Sequence, residues 1–403
     1  MAGGSVVNVI MKSGTNQFHG SAWEYNTVSA LKARNYFYYG ANNPKYILNQ
    51  FGGTFGGPIV KNKWFFFGDW EGTQRRQAES GLFTAPNDAL KAGDFSGTNT
   101  LIYDPQTGNP DGTGRTPFPN GVIPANRLSS AAVKMAALLP EPNNGNYAAN
   151  GPSNDYFASG SYSNKRNIFD IKTNYNPTAS TTLFGRYSYA NTDLFDPQAL
   201  GAAGGPAIDA GQPGNAPSLL QSAAIGATHT FTPNLLIDGN IGFLRQHLGA
   251  ENVDINKNYG SDVLGIPGSN GSNLLQGGYP AFLFAAATGA GVAAANGAFT
   301  NLGNQNPSNP FLFKDNQFIG GVNLGWVKGN HSVRWGFEMI HFAINHFQPQ
   351  VSYGPRGGFT FTGGLSTLNG GPAPDIYNGC RFHDGDGTAD GQGYRVSRPR
   401  DGS

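Results

Sequence analysis

Few residues in this sequence have both the type and the spacing to do chemistry. Asp69 and Glu71 stand two apart in "FFFGDWEGT", on one face of an alternating segment, where paired carboxylates could share acid and base roles. No nucleophile or base elsewhere is spaced to join them, so they read as carboxylates on a wet interior face, hydrogen-bonded to water or protein. His331, His341 and His346 supply imidazoles for a metal, but His331 belongs to a turn and His346 has the opposite strand parity to His341. At about 3.3 Å per residue their ends lie tens of ångströms apart, which no single ion spans. "DGDGTADG", Asp384 to Gly391, has the acidic spacing of a calcium loop, yet Ala389 occupies the sixth position, where glycine is required, and no glutamate closes the loop. "KSGTN", Lys12 to Asn16, lacks the upstream glycine of a phosphate loop. A single cysteine, Cys380, excludes an intrachain disulfide and a cysteine-based metal site. No catalytic, cofactor or metal residues are assigned, and the chain reads as a non-enzyme.

The elements that carry these residues are unusual. Glycine, at 59 of 403 residues, is about twice its ordinary share, while charged residues at 13% are about half of theirs. Aromatics reach 12% although mean hydropathy is only -0.37. That combination suits glycine-bearing strands joined by long polar loops. A net charge of +1 gives no reason to expect nucleic acid as a partner. The N-terminus has no basic stretch followed by an apolar one, so no signal peptide is read. The one segment near membrane-helix length, "YPAFLFAAATGAGVAAANGAF", Tyr279 to Phe299, contains Pro280, Gly289, Gly291 and Gly297. These make a helix costly, and a loop folded over other structure is expected.

Four pairs of alternating segments are joined by short turns: Asn49–Val60 with Trp64–Arg75, Arg166–Tyr175 with Thr181–Ala190, Ser222–Phe231 with Leu235–Leu244, and Asn316–Val327 with Ser332–Phe342. Alternation of period two around a short turn is a hairpin signal. In "NQFGGTFGGPIVKNKWFFFGDWEG", Phe51, Phe55 and Ile59 share a face with Gly53 and Gly57, while Gln50, Gly52, Thr54 and Gly56 make the other. Likewise Phe169, Ile171, Thr173 and Tyr175 oppose Asp170, Lys172 and Asn174. Leu235, Ile237, Ile241 and Phe243 oppose Asp238 and Asn240. Phe318, Val322, Leu324 and Trp326 oppose Gln317, Asn323 and Gly325; Val333, Trp335, Phe337 and Met339 oppose Arg334, Gly336 and Glu338. A slip of one residue would turn every charge outward, so the register is strongly set.

Adding a strand at Phe18–Tyr25 places every short turn on one rim and every long connection on the other. That asymmetry describes an outer-membrane β-barrel, its greasy face to lipid and its small polar face to a lumen. Trp64, Phe231 and Trp326, beside the short turns, then fall in the periplasmic aromatic girdle. The fold class expected is all-β, an antiparallel transmembrane β-barrel with long extracellular loops.

"GGSVVNVIMKSGTNQFHGSAWEY", Gly3 to Tyr25, resembles the junction of plug and barrel in TonB-dependent outer-membrane receptors, particularly the Oar-like branch common in acidobacteria. "NQFGGTFGGPIVKNKWFFFGDWEGTQRRQ" resembles that branch's second and third strands. "TAPNDALKAGDFSG", "IYDPQTG" and "PFPNGVIPANRLSSAAVKMAALLPEPN" look like its first large loop. Within that loop Leu128, Ala131, Ala132, Met135, Leu138 and Leu139 fall at helical spacing before Pro140. Met11 departs from the small polar residue usual there. The likeness covers residues 3 to 378. It implies a plugged barrel of about 22 strands, of which roughly nine or ten are present, the tenth at Gly357–Gly364. The expected division is 1–15 as the end of the plug, 16–378 as barrel, and 379–403 as an out-of-frame or unstructured tail. Codons for Cys380 to Gly385 exist that, read one base later, encode an Ala-Asp-Phe-Met-Met like the family's "ADFLLG". The chain is thus expected to be a fragment.

The function so implied is import across the cell outer membrane of a bulky nutrient: a glycan, peptide or metal chelate. A TonB-type energy-coupling protein and outer-membrane lipid would be its partners. Aromatic and amide groups such as Tyr36, Phe37, Tyr38, Tyr39, Asn42 and Asn43 suit substrate binding at the loops, and no cofactor is implied. The alternative is a barrel anchor with an adhesive or structural surface role. A passive porin fits the plug-like N-terminal segment less well.

Overall fold

A computed structural model describes residues 10–33, 43–145, 147–148, 151–209, 211–284, 299–348, 356–361 and 364–368. The tail 379–403, the aromatic cluster 36–39 and Asn42 lie outside the described residues.

Nine long strands form one sheet: β1 (His19–Val28), β2 (Tyr46–Val60), β3 (Trp64–Phe83), β4 (Tyr156–Thr178), β5 (Thr181–Asp196), β6 (Gly214–Thr232), β7 (Leu235–Ala250), β8 (Phe311–Lys328) and β9 (His331–Phe347). Each pairs antiparallel with its neighbour in chain order, and β1 and β9 are the two edges. The sheet is therefore an open, partial barrel among the described residues. The short turns fall where the alternation breaks, at Lys61–Lys63, Ala179–Ser180, Pro233–Asn234 and Gly329–Asn330. Asn62 and Gly329 adopt the left-handed conformation that such tight reversals need.

The register confirms the division of faces strand by strand. Trp70 lies opposite Phe169, Phe169 opposite Tyr189, Ile225 opposite Ile241, Phe243 opposite Phe318 and Val322 opposite Phe337. These side chains form one apolar surface with no core to cover it; Ile225 and Ile241 are 65% and 66% exposed. The other face carries Asp69, Asp170, Lys172, Arg186, Asp238, Arg334 and Glu338. Only β1 reverses the pattern. Its Trp23 and Tyr25 register with Gly52 and Gln50 on the polar face, and a Cβ at Gly52 would fall 2.6 Å from the Trp23 ring. Gly52 is what lets the indole lie flat there.

The strands outrun the sequence pattern mainly on the long-loop side. β3 continues to Phe83, and β4 begins at Tyr156, ten residues before the alternation becomes legible. A spanning strand needs about 9–11 residues, so the upper halves of β3 and β4 rise beyond the membrane. Where both faces meet water, hydrogen bonding persists while the hydrophobic alternation fades.

The hydrophobic core sits above the spanning stretch, among the long connections, and β3 and β4 add Phe83 and Ala158 to it from the polar-face side. Leu90, Phe95, Ile102, Met135, Leu200 and Phe284 are all buried there. Within it the helix Ser130–Ala136 starts on a Ser129 side-chain cap and buries Ala132 and Met135, as the spacing predicts, and Ala136 as well. The Gly357–Gly364 segment departs from expectation. It does form a strand, Gly358–Phe361, but one paired parallel with Ala281–Phe284 and separate from the nine-stranded sheet. Phe359 and Phe361 stack on Phe282 and Phe284 at 5.5 and 5.6 Å. Two phenylalanines two residues apart satisfy a buried strand as well as a lipid-facing one, so local pattern could not separate them. The described part of Tyr279–Phe299 is thus a strand folded over the loop core, and among the described residues no helix is long and apolar enough to cross a membrane.

Candidate functional site

Two regions can bind something: the polar face of the sheet and the packed loops above it. On the polar face Asp69 lies directly opposite Asp170, with Glu71 two residues along and Lys172 and Arg186 paired nearby. Among the described residues neither Asp69 nor Glu71 is hydrogen-bonded to a nucleophile or a base, so the pair belongs to the polar lining. The chain ahead of β1 runs along the same face. Lys172 Nζ donates to the Met11 carbonyl at 3.2 Å, and Asn16 exchanges hydrogen bonds with Asn62, whose backbone N–H and side chain are each 2.7 Å away. A chain entering along the polar face beside a short turn is held there by a lysine on its backbone and by paired amide groups.

The three histidines do not converge. His331 faces Lys328 at the short turn, His341 faces Phe318 on the apolar side, and His346 lies on the polar side at the outer end. There His346 Nε2 is 2.8 Å from Asp315 and its ring stacks on Phe313 at 4.0 Å. The acidic segment 384–391 lies outside the described residues.

The loops are tied to one another by buried polar groups. Arg356, 1% exposed, donates to Asn252 Oδ1 (2.8 Å) and to the carbonyls of Asn306 (3.2 Å) and Asn309 (2.5 Å). Burial holds its guanidinium down to about 10, with Asp254 opposing that shift. Arg115 donates to the carbonyls of Gly364 and Thr367 at 2.9 and 2.8 Å. Thr84 and Thr300 exchange hydrogen bonds, joining the connection after β3 to the one before β8. Arg127 and Asp104 pair at 3.1 Å within the first loop. The result is a packed cap, its polar groups fixed by bonds between different connections.

One constellation has no sequence signal. Glu79 near the end of β3, Asp196 ending β5 and Asp209 in the following loop bring carboxylate oxygens within 4.8 Å of one another. Asp196 is pushed up to about 7 by burial and by Asp209 and Glu79. Burial raises Glu79 too, with Asp209 adding to it and Arg75 opposing. All three sit well above the spanning stretch, on separate elements, and no spacing within any one of them marks the cluster.

Over residues 10–398 the sequence matches the family described as "Outer membrane beta barrel domain". No match is found among curated proteins. Among solved structures the chain is similar to one titled "CymD monoaromatic hydrocarbon channel", with 12% identity, 81% of this chain and 75% of that one covered, and a TM-score of 0.18. So weak a superposition carries no argument.

Proposed function

Because the chain belongs to the outer membrane beta barrel domain family and so resides in the cell outer membrane, we propose that it acts there in energised import. In this reading it is the barrel of a TonB-dependent receptor of the Oar-like branch, without enzymatic activity, taking up a bulky glycan, peptide or metal chelate. The observation that supports this most is the path of residues 10–18. They approach the polar face beside the Asn62 turn and are held by Lys172 and Asn62, which is where a lumen-filling domain ahead of β1 would leave for the barrel wall. The cap of cross-tied loops supports it second, since capture of a bulky molecule needs ordered groups far from the membrane.

Genetics tests the reading. Strains lacking this gene and strains lacking the TonB-type coupling protein are grown on limiting complex glycans, peptides or ferric chelates, alone and in combination. A shared growth defect on one nutrient class, not worsened in the double mutant, is expected. Uptake that persists without the coupling protein, or a mutant altered only in surface adhesion, would move the protein to the anchor class.

A further inference from the structure

We propose that Glu79, Asp196 and Asp209 form a calcium site that ties the outer end of β3 to the loop after β5. The oxygens lie within 4.8 Å of one another. Calcium takes oxygen ligands at about 2.3–2.6 Å, so ligands on opposite sides of one ion stand about 4.6–5.2 Å apart. The donors are all carboxylates, with no histidine or cysteine among them, which suits a hard cation rather than zinc or copper.

A second observation concerns what these oxygens lack. Asp196 and Glu79 are only 4% and 8% exposed. Asp196 Oδ1 and Glu79 Oε2 are nevertheless buried with no donor reaching them among the described residues, so a proton shared between the carboxyls or a bound cation would be needed to satisfy them. Buried polar atoms are nearly always satisfied, and charged ones most of all. Arg75, four residues from Glu79 on the same strand face, does not serve them: it donates to Gln77 and lies against the Tyr46 and Tyr162 rings. A bound cation would satisfy the orphaned oxygens and favour the charged form of carboxyls that otherwise repel one another. Exposed Asp209 leaves the cluster open to solvent, and so to an ion.

The local fold is built for close approach. After β5 the chain doubles back through the Gln198–Ala207 bridge, returning Asp209 to Asp196. That doubled loop lies on Gly160, the register partner of Glu79, where a Cβ would meet Ile208 and Pro197 at 2.7 Å. Gly211 donates its N–H to Asp209 Oδ1 at 2.7 Å, and a Cβ there would stand 2.8 Å from both Asp196 Oδ2 and Asp209 Oδ1.

Equilibrium dialysis of the full chain in detergent micelles against radioactive calcium tests the site. Saturable binding is expected in the range of extracellular calcium modules, about 0.1–1 mM, weakened at least about tenfold by Asp196→Asn and by Glu79→Gln and unchanged by Asp88→Asn. Hydrogen exchange of the wild-type chain gives a readout free of variant folding: calcium, but not equal magnesium, should slow exchange across residues 196–209. Absent saturable binding, binding in D196N equal to wild type, or no calcium protection of that loop would each overturn the proposal.

Discussion

Arg356 donates to the side-chain oxygen of Asn252 at 2.8 Å across 104 residues of sequence, and both side chains are buried. The guanidinium is the knot of the outer cap, since its other hydrogens reach the Asn306 and Asn309 carbonyls. Replacing it with methionine keeps bulk but strands three acceptors. At about 1–3 kcal/mol for each buried group left unpaired, Arg356→Met should cost on the order of 3 kcal/mol of local stability. Hydrogen exchange across residues 251–284 and 299–310 should accelerate, while exchange in the lower halves of β4 to β7 stays at the wild-type rate. Unchanged protection of that connection would show that the knot is not needed.

The two faces of the sheet should answer a charge differently. Ile241 lies on the apolar face near the middle of the spanning stretch, and its neighbour Asn240 points the other way. Arginine at a lipid-facing midplane position costs about 2–4 kcal/mol, so Ile241→Arg should sharply reduce folded protein in urea titrations from lipid. Asn240→Arg should stay within about 0.5 kcal/mol of wild type. Equal losses at both positions would contradict the assignment of faces.

Topology follows from the same sheet. A peptide tag inserted at Asn144, in the connection between β3 and β4, should be reached by antibody on intact cells. One at Asn330, in the turn between β8 and β9, should be reached only after the outer membrane is opened. Surface labelling at Asn330 would invert the barrel.

Asp155 provides a pH signature for the cap. Its Oδ1 accepts the Ala85 N–H at 2.9 Å while Oδ2 is buried and unpartnered among the described residues, and burial raises its pKa. The folded state therefore binds the proton more tightly than the unfolded chain, so the slope of stability against pH is negative. The contribution is fully present below the unfolded value, about 3.9, and is lost as pH rises through the folded one. Wild type minus Asp155→Asn should thus be most favourable near about pH 4 and shrink upward. A difference that grows with pH would mean that the carboxylate is favoured in its charged form.

The sequence alone determined the spanning part of this protein: which residues make strands, where eight of them turn in pairs, and which face meets lipid. Those features are local. A strand has period two, lipid demands an apolar side chain at every second position, and a hairpin needs only its own turn, so Ile241 and Asn240 declare their faces within a few residues. Above the membrane the spacing marked the helix at Ser130–Ala136, and the tertiary structure decided how the connections pack. Gly358–Phe361 reads like a barrel strand but is buried against Ala281–Phe284, because an alternating pair of phenylalanines does not say whether lipid or protein will cover it. Arg356 meets Asn252 only when the segment after β9 packs against the connection after β7, and Glu79 meets Asp196 and Asp209 only when the loop after β5 doubles back. No period links them, since what brings them together is the burial of apolar side chains far away in the chain, and burial leaves no spacing to read.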